Sequence, residues 1–293
     1  MNDNFLFILN PISGTRKYRR NKLRYEILKE IRSGSIKGEI RYSKYEGHAS
    51  QIAKDAVAEG FGCVVVAGGD GSINEVAREL AKTNVAIGII PTGSGNGLAH
   101  YLNIPFKIKD CLKVIKNKKI KQADIIEVDD KYVVSIAGIG FDAVVAEKYS
   151  RDKGRGFFTY AQSAITEFFK YKPERVKIIA DNFEIDENIF FMIFANSNQF
   201  GYNLKIAPNA DLFDGYIDVV ILKNVPLIAA PLSSIKIILG RADKCVYISS
   251  FKTKQLQIIR EKEGIINIDG DPYHTGKIIN VKIQEKTLGI IVP

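Results

Sequence analysis

Three cysteines and three histidines are all that 293 residues offer for cross-linking, zinc binding or imidazole chemistry. Cys63, Cys111 and Cys245 lie far apart without ligand spacing, and Cys63 and Cys245 sit in apolar, strand-like runs. Buried free thiols are therefore expected, with neither disulfides nor a zinc site. His48, His100 and His274 show no mutual spacing and no carboxylate arrangement of a triad, so packing or surface roles are expected for them. No stretch approaches the roughly 18 uninterrupted apolar residues of a membrane span. The start, Met1-Asn2-Asp3-Asn4, lacks the basic region of a signal peptide, and a cytoplasmic location is expected. No basic stretch carries interleaved aromatics in a recognisable nucleic-acid motif, so a nucleic-acid partner is not expected.

What is abundant is lysine and arginine. The formal net charge is +9, and it is unevenly placed. Residues 15–44 hold eleven Lys or Arg against three Glu, and residues 105–121 hold seven Lys against one Asp, which leaves the rest of the chain slightly acidic. Such patches imply either an anionic partner, such as a phospholipid surface or a nucleotide, or a solvated helix face. The composition, 46% hydrophobic and 26% charged, is that of a soluble globular protein, and the length predicts two domains.

The most informative stretch is Cys63-Val64-Val65-Val66-Ala67-Gly68-Gly69-Asp70-Gly71-Ser72-Ile73-Asn74-Glu75-Val76. A β-branched run stops at glycines, and Ile73, Val76, Ala77 and Leu80 then recur at helical spacing, which predicts a strand, a tight turn and a helix. Glycines in such a turn permit positive φ and let an anion approach the main-chain N–H groups, while the helix N-terminus adds partial positive charge. Phosphate is the expected guest. Asp70 would repel it unless a metal ion or a substrate hydroxyl lay between them, so chemistry as well as binding is implied there.

Taken in order, Phe5–Leu9 reads as a strand ending in the polar turn Asn10-Pro11-Ile12-Ser13-Gly14. Leu23, Ile27, Leu28 and Ile31 mark a basic amphipathic helix, Glu39–Ser43 a strand, and Ala49, Ile52, Ala53 and Ala56 the apolar face of a helix opened by Gly47. Val85–Ile90 is a further strand, followed by Pro91-Thr92-Gly93-Ser94-Gly95-Asn96-Gly97-Leu98-Ala99, a second candidate anion loop. Strands alternating with helices predict a doubly wound, mostly parallel α/β sheet whose loops face one cleft at the carboxyl ends of the strands. From about Lys121, short strands dominate and predict an antiparallel β-sandwich. Helices are expected over Thr159–Lys170, with Ala161, Ala164, Ile165 and Phe168 on one face, and over Leu227–Leu239. The aromatic residues at 157–171 read either as core or as an apolar wall for a lipid tail. The turn around Asp211, Asp214 and Asp218 reads either as a hard-cation site or as an acidic hairpin. Asp269-Gly270-Asp271-Pro272 puts two carboxylates across a turn, one of which suits a general base.

Together these residues resemble the diacylglycerol kinase catalytic family, which includes bacterial soluble lipid kinases and the sphingosine and ceramide kinases. The resemblance rests on Asn10-Pro11 with Ser13-Gly14, Gly47-His48-Ala49, Gly68–Ser72 with Asn74-Glu75, the 91–99 loop, Ala207-Pro208 with Asp214-Gly215, and Asp269-Gly270-Asp271. It implies an N-terminal nucleotide-binding α/β domain over residues 1–122 and a C-terminal β-sandwich over 123–293, with the last residues packing back on the first domain. It further implies ATP held by Asn10, Pro11, Ser13, Gly14, Ser43, Gly68, Gly69, Asp70, Gly71, Ser72, Asn74, Glu75, Gly93, Ser94 and Asn96. Magnesium would lie at Asp211, Asp214 and Tyr216. A base would come from Asp269 or Asp271, with Asp70 also catalytic. The implied activity is ATP- and Mg²⁺-dependent phosphorylation of a lipid hydroxyl at a membrane surface that the basic patches contact. Asp271 stands where the family has Glu, Ser43, Ser72 and Ser94 where it has Thr, and Tyr202 where many bacterial members have Gly. The 93–99 loop is similar to that of sphingosine and ceramide kinases. An NAD kinase-like enzyme sharing the Gly-Gly-Asp-Gly turn, and a catalytically silent lipid- or nucleotide-binding protein, remain alternatives. Pairing of two copies through an edge strand is also open.

Overall fold

The computed structural model describes residues 3–11, 17–152, 156–181, 183–198, 206–223, 225–226, 236 and 245–293, with residues 17–20 and 157 described by backbone alone. Ser13 and Gly14, the segment Gln199–Tyr202 and the helix expected over Leu227–Leu239 lie outside the described residues. The chain divides into two compact units, one formed by residues 1–123 with 286–293 and the other by 124–285.

The first unit carries strands β1 (Asn4–Leu9), β2 (Lys37–Tyr42), β3 (Cys63–Gly68) and β4 (Ala86–Pro91), connected by helices α1 (Lys17–Arg32), α2 (His48–Ala58) and α3 (Asp70–Leu80). Helices α4 (Gly97–Tyr101) and α5 (Ile108–Asn117) follow. The strand order is β2-β1-β3-β4, every pair parallel, and Ile290 near the C-terminus pairs in parallel with Ile87 beyond β4. Every residue of β3 and β4 is buried, as a parallel sheet covered on both faces requires. α2 buries Ala49, Ile52, Ala53 and Ala56, and α3 buries Ile73, Val76, Ala77 and Leu80, the positions their periodicity predicts. Leu23 and Ile27 of α1 and Cys111, Leu112 and Ile115 of α5 share one core with Phe7 and Val65. Each large side chain so buried contributes about 1.5–3 kcal/mol. Lys116 donates to Glu30 at 2.8 Å, so the two basic runs, far apart in sequence, meet on neighbouring helices.

The second unit is the β-sandwich. It receives the chain from β5 (Ile120–Val128) and continues through β6 (Lys131–Val133), β7 (Ile136–Gly140), α6 (Phe141–Arg151), α7 (Phe157–Phe168), β8 (Glu174–Ala180), β9 (Phe183–Ala195) and β10 (Ile217–Lys223). β11 (Ile248–Thr253), β12 (Gln255–Arg260), β13 (Gly264–Ile268), β14 (Asp271–Thr275) and β15 (Ile278–Ile291) complete it. The order β14-β13-β7-β9-β8-β12-β15 is built from antiparallel pairs. β9 is long enough to pair with β8 through its first half and β7 through its second, while its other edge takes β10. Side chains alternate along these strands, so Ile178, Met192, Phe194, Val219, Ile258 and Ile266 all reach one core.

Three local expectations change. The single strand expected over Tyr132–Ile139 is two strands, β6 and β7, and α6 follows directly where no helix was anticipated. The strand expected over Cys245–Ile248 begins instead at Ile248. α7 keeps Ala161, Ala164 and Phe168 on its inward face as expected but not Ile165: Ser163 is buried there and donates to Asp152 Oδ2 at 2.7 Å, while Phe158, Ile165 and Phe169 are 88%, 64% and 77% exposed. Apolar residues run most of the way round this helix, so their spacing alone does not select the buried face. Phe168 does pack inward, with ring centroids 6.1 Å from Phe141 and 5.6 Å from Phe190. Cys63, Cys111 and Cys245 are buried and free.

Candidate active site

In the first unit the polar turns gather because four parallel strands end together. Asn10 N donates to Ala67 O at 3.1 Å, Ser43 N to Leu9 O at 3.1 Å, and Thr92 N to Gly68 O at 2.9 Å. Asn10-Pro11, buried Ser43, Gly68–Ser72 and the 91–97 loop thus share the carboxyl edge of one sheet, where an open α/β sheet binds its ligands. The glycines of these turns are needed for close approach, not for positive φ as the sequence implied. None of Gly68, Gly69, Gly71 or Gly93 adopts the left-handed backbone. A Cβ on Gly93 would lie 2.5 Å from Gly69 Cα, one on Gly69 would lie 3.2 Å from Gly93 Cα, and one on Gly68 would meet Ser72 Cβ at 2.7 Å.

The left-handed position is Asn96, at φ 50°. Its Oδ1 accepts from Gly93 N at 3.0 Å and its Nδ2 donates to Gly93 O at 2.8 Å, closing the loop at both ends. Nothing lies within 4 Å of where a Gly71 side chain would start, so the approach to the first turn of α3 is open there. The N–H groups of that turn have no intrahelical acceptor, and the helix dipole favours an anion beside them. Ser72 Oγ accepts from Asn10 Nδ2 at 2.8 Å, Asn74 is buried in α3, Glu75 is half-buried and Ser94 is exposed. This donor set fits the phosphates of a nucleotide. Asp70 Oδ1 accepts from Gly97 N at 2.7 Å, so the carboxylate that would repel phosphate also ties the two turns together.

In the second unit, Asp269 and Gly270 are the two central residues of the hairpin joining β13 to β14, with Ile268 opposite Asp271. Both have positive φ, 53° and 99°, as the favoured two-residue hairpin turn demands. The Asp269 carboxylate accepts three backbone N–H groups, from Val134 at 2.9 Å, Ser135 at 2.8 Å and Ile136 at 3.1 Å. It is a structural anchor. Asp271, partly buried at the start of β14, lies one residue beyond the turn.

Beneath the turn are two residues that the sequence did not single out. Gly270 N donates to Asn267 Oδ1 at 2.9 Å, and Asn267 Nδ2 donates to Asp142 Oδ2 at 2.8 Å. Asp142 and Asn267 are both buried. Burial pushes the Asp142 carboxyl up to about 7, against the pull of the Asn267 hydrogen bond. Gly140-Phe141-Asp142 repeats the glycine-then-aspartate pattern of Gly69-Asp70 at a strand-to-helix junction, the signal that could have found it.

The third acidic turn carries its own cation. Asp211 Oδ1 accepts from Phe213 N at 3.1 Å, and Asp214 Oδ1 accepts from Tyr216 N at 3.0 Å. The other Asp214 oxygen accepts from Lys252 Nζ, which also pairs with Asp218 at 3.2 Å. Burial opposes the Lys252 charge, yet its hydrogen bonds to Asp214 and Asp218 hold its pKa above the usual value. Burial raises Asp218 despite that partner. Tyr216 joins the turn through its N–H. Among the described residues no three His, Cys, Asp or Glu side chains converge as a metal's ligands would. Asp124 Oδ2 accepts from Gly215 N at 2.8 Å and Asn196 Nδ2 donates to Asp124 O at 2.8 Å, which braces the turn from below. His48 accepts from Lys44 N at 2.9 Å and stacks on Tyr45, and His100 packs on Phe106, so neither stands in a triad.

Known proteins match almost the whole chain. Residues 4–128 match the diacylglycerol kinase catalytic domain, and residues 135–291 match the YegS C-terminal NAD kinase beta sandwich-like domain. The diacylglycerol kinase of Bacillus subtilis is 27% identical over 271 residues, 90% of this chain and 88% of that protein. A Shewanella frigidimarina protein named "Probable lipid kinase YegS-like" is 27% identical over 266 residues, 87% and 84% of the two chains. A crystal structure of a diacylglycerol kinase from Bacillus anthracis has the same fold, with a TM-score of 0.80 at 19% identity over 99% of this chain and 97% of that one. With both domain models matched in order over residues 4–128 and 135–291, the chain belongs to the diacylglycerol kinase catalytic family.

Proposed function

We propose that this lipid kinase transfers the γ-phosphoryl group of ATP to the hydroxyl of a lipid presented by a membrane, with diacylglycerol as the leading substrate by analogy with the Bacillus subtilis relative. The observation that carries the reading is the backbone contact of Gly69 with Gly93, which keeps two anion loops side by side at the open first turn of α3. Asn10, Pro11, Ser43, Gly68–Ser72, Asn74, Glu75, Gly93, Ser94 and Asn96 hold the nucleotide in this reading, with Ser13 and Gly14 assigned from sequence. ATP, when bound, supplies the phosphoryl group. The α3 N–H groups and the Ser72 and Ser94 hydroxyls fix the phosphate oxygens, and Asp70 holds the second loop through Gly97 N. Asp271 accepts the hydroxyl proton as the lipid oxygen bonds to the γ-phosphorus and the bond to the β-phosphate oxygen breaks, releasing ADP. Asp269, with its oxygens committed to backbone N–H groups, is the weaker candidate for that proton. Membrane contact is supported by the joined basic face of α1 and α5 and by the exposed apolar stripe of α7.

The activity test is transfer of labelled phosphate from Mg²⁺-ATP to diacylglycerol, sphingoid bases and ceramide in mixed micelles, with NAD as a non-lipid acceptor. Labelling of a lipid is expected, and labelling of NAD alone would overturn the reading. In the same assay Asp271→Asn is expected to lose about 10²–10⁴ in kcat with the KM for ATP little changed. Asp269→Asn, which sets amide hydrogens against backbone N–H groups, is expected to cost about 2–4 kcal/mol in urea unfolding. A stable, inactive Asp269→Asn beside an active Asp271→Asn would exchange the two roles.

Magnesium at the Asp211–Tyr216 turn would have to displace Lys252. If the ammonium supplies that charge, the melting temperature of the nucleotide-free protein is unmoved by millimolar Mg²⁺ or by EDTA, and Lys252→Met lowers it. A clear rise with Mg²⁺ would assign the turn to a metal. For the membrane, sedimentation with anionic vesicles is expected to fall in the charge reversals Lys22→Glu with Lys109→Glu, by up to about 1 kcal/mol per charge and less at high salt. It is expected to fall in Ile165→Asp with Phe169→Asp at all salt concentrations. Unchanged binding by both pairs would remove these surfaces from membrane contact.

A further inference from the structure

The hairpin that bears Asp271 stands at the end of a chain of hydrogen bonds that begins in the core. Asp142, in the first turn of α6, is buried against β7: a Cβ on Gly138 would collide with Asp142 Oδ2 and with Ile193, so glycine there makes room for the carboxyl. The same oxygen accepts from Asn267 Nδ2 at 2.8 Å. Asn267 is buried in β13, and its Oδ1 accepts from Gly270 N at 2.9 Å. The two bonds fix the amide in one orientation, because a backbone N–H can only donate and so must face the amide oxygen. Gly270 is bonded to Asp271. The other side of the turn is pinned by Asp269 to residues 134–136.

We propose that Asp142 and Asn267 are positioning residues that set the direction of Asp271, by holding the Asp269-Gly270 turn from the α6 side while Asp269 holds it from the other. The inference rests on the reading of Asp271 as the base. A turn held on one side only keeps its hairpin ladder but loses the constraint on its first strand residue, and a displacement on the order of 1 Å of a reacting group costs about a hundredfold in rate. Pro272, opposite Asn267 in the ladder, has no N–H with which to hold this end of β14 by itself.

The test uses the full-length protein in the lipid phosphorylation assay. Asp142→Ala is expected to lower kcat about tenfold to a hundredfold with the KM for ATP changed less than about twofold. Asp142→Asn, which offers Asn267 an amide oxygen in place of the carboxyl, is expected to restore kcat to within about threefold of the parent. Asn267→Leu removes both the donor to Asp142 and the acceptor for Gly270, and is expected to lose at least as much kcat as Asp142→Ala. This second variant decides the matter should Asp142→Ala fail to fold. Full kcat in Asp142→Ala or in Asn267→Leu, or an equal loss in Asp142→Asn and Asp142→Ala, would overturn the proposal. Asp271→Asn is assayed alongside: normal turnover there would show that the reading of the base had failed, whereas an impaired Asp271→Asn beside a normal Asp142→Ala would show that only the relay had.

Discussion

Two turns can pack Cα against Cα only where neither residue carries a side chain, and the loop-bearing edge of the first unit's sheet depends on that condition at Gly69 and Gly93. β3 and β4 are neighbours in a parallel sheet, so the turns that follow them leave the same edge. For both turns to sit beside one helix N-terminus they must pass within a Cβ's reach of each other. The remaining features follow from this contact: Asn96 closes one loop on Gly93, Asp70 reaches across to Gly97, and Asn10 reaches Ser72. A methyl group at either glycine would separate the loops, and those bonds would lose their lengths together.

The aspartates of this chain are told apart by what their oxygens already accept. Asp269 accepts three backbone N–H groups, Asp214 a backbone N–H and an ammonium, and Asp142 a side-chain amide in a site dry enough to raise its pKa. Each performs a different task although all sit in similar glycine-containing turns. An acceptor that is already satisfied anchors structure. In the proposed reaction the proton passes to Asp271.

Much of the fold was legible because it follows from one-dimensional patterns. The buried strands β3 and β4 appear as unbroken apolar runs, and the inward faces of α2 and α3 appear as 3.6-residue spacing. Where the pattern was ambiguous the reading missed. α6 begins with Phe141-Asp142-Ala143 straight after a strand and has no side-chain cap, so the glycine and aspartate at its start are the one local signal, and the reading did not use it. In α7 the spacing placed Phe168 inward, as found, but put exposed Ile165 on the same face and passed over buried Ser163, whose bond to Asp152 hydrophobicity alone does not reveal.

The sequence by itself determined the two-unit architecture, the strand-turn-helix at Gly68–Ser72 and the family, because periodicity, glycine placement and motif order are properties of the chain read residue by residue. Only the tertiary structure decided that the turn glycines serve contact rather than positive φ, that Asp269 is an anchor, that Lys252 faces Asp214 and that Asp142 lies behind the Asp271 hairpin. Those partners are separated by 24 to 135 residues, as Gly69 from Gly93 and Asp269 from Val134. No local pattern encodes such a distance; it becomes a contact when strands pair and side chains compete for the same donors.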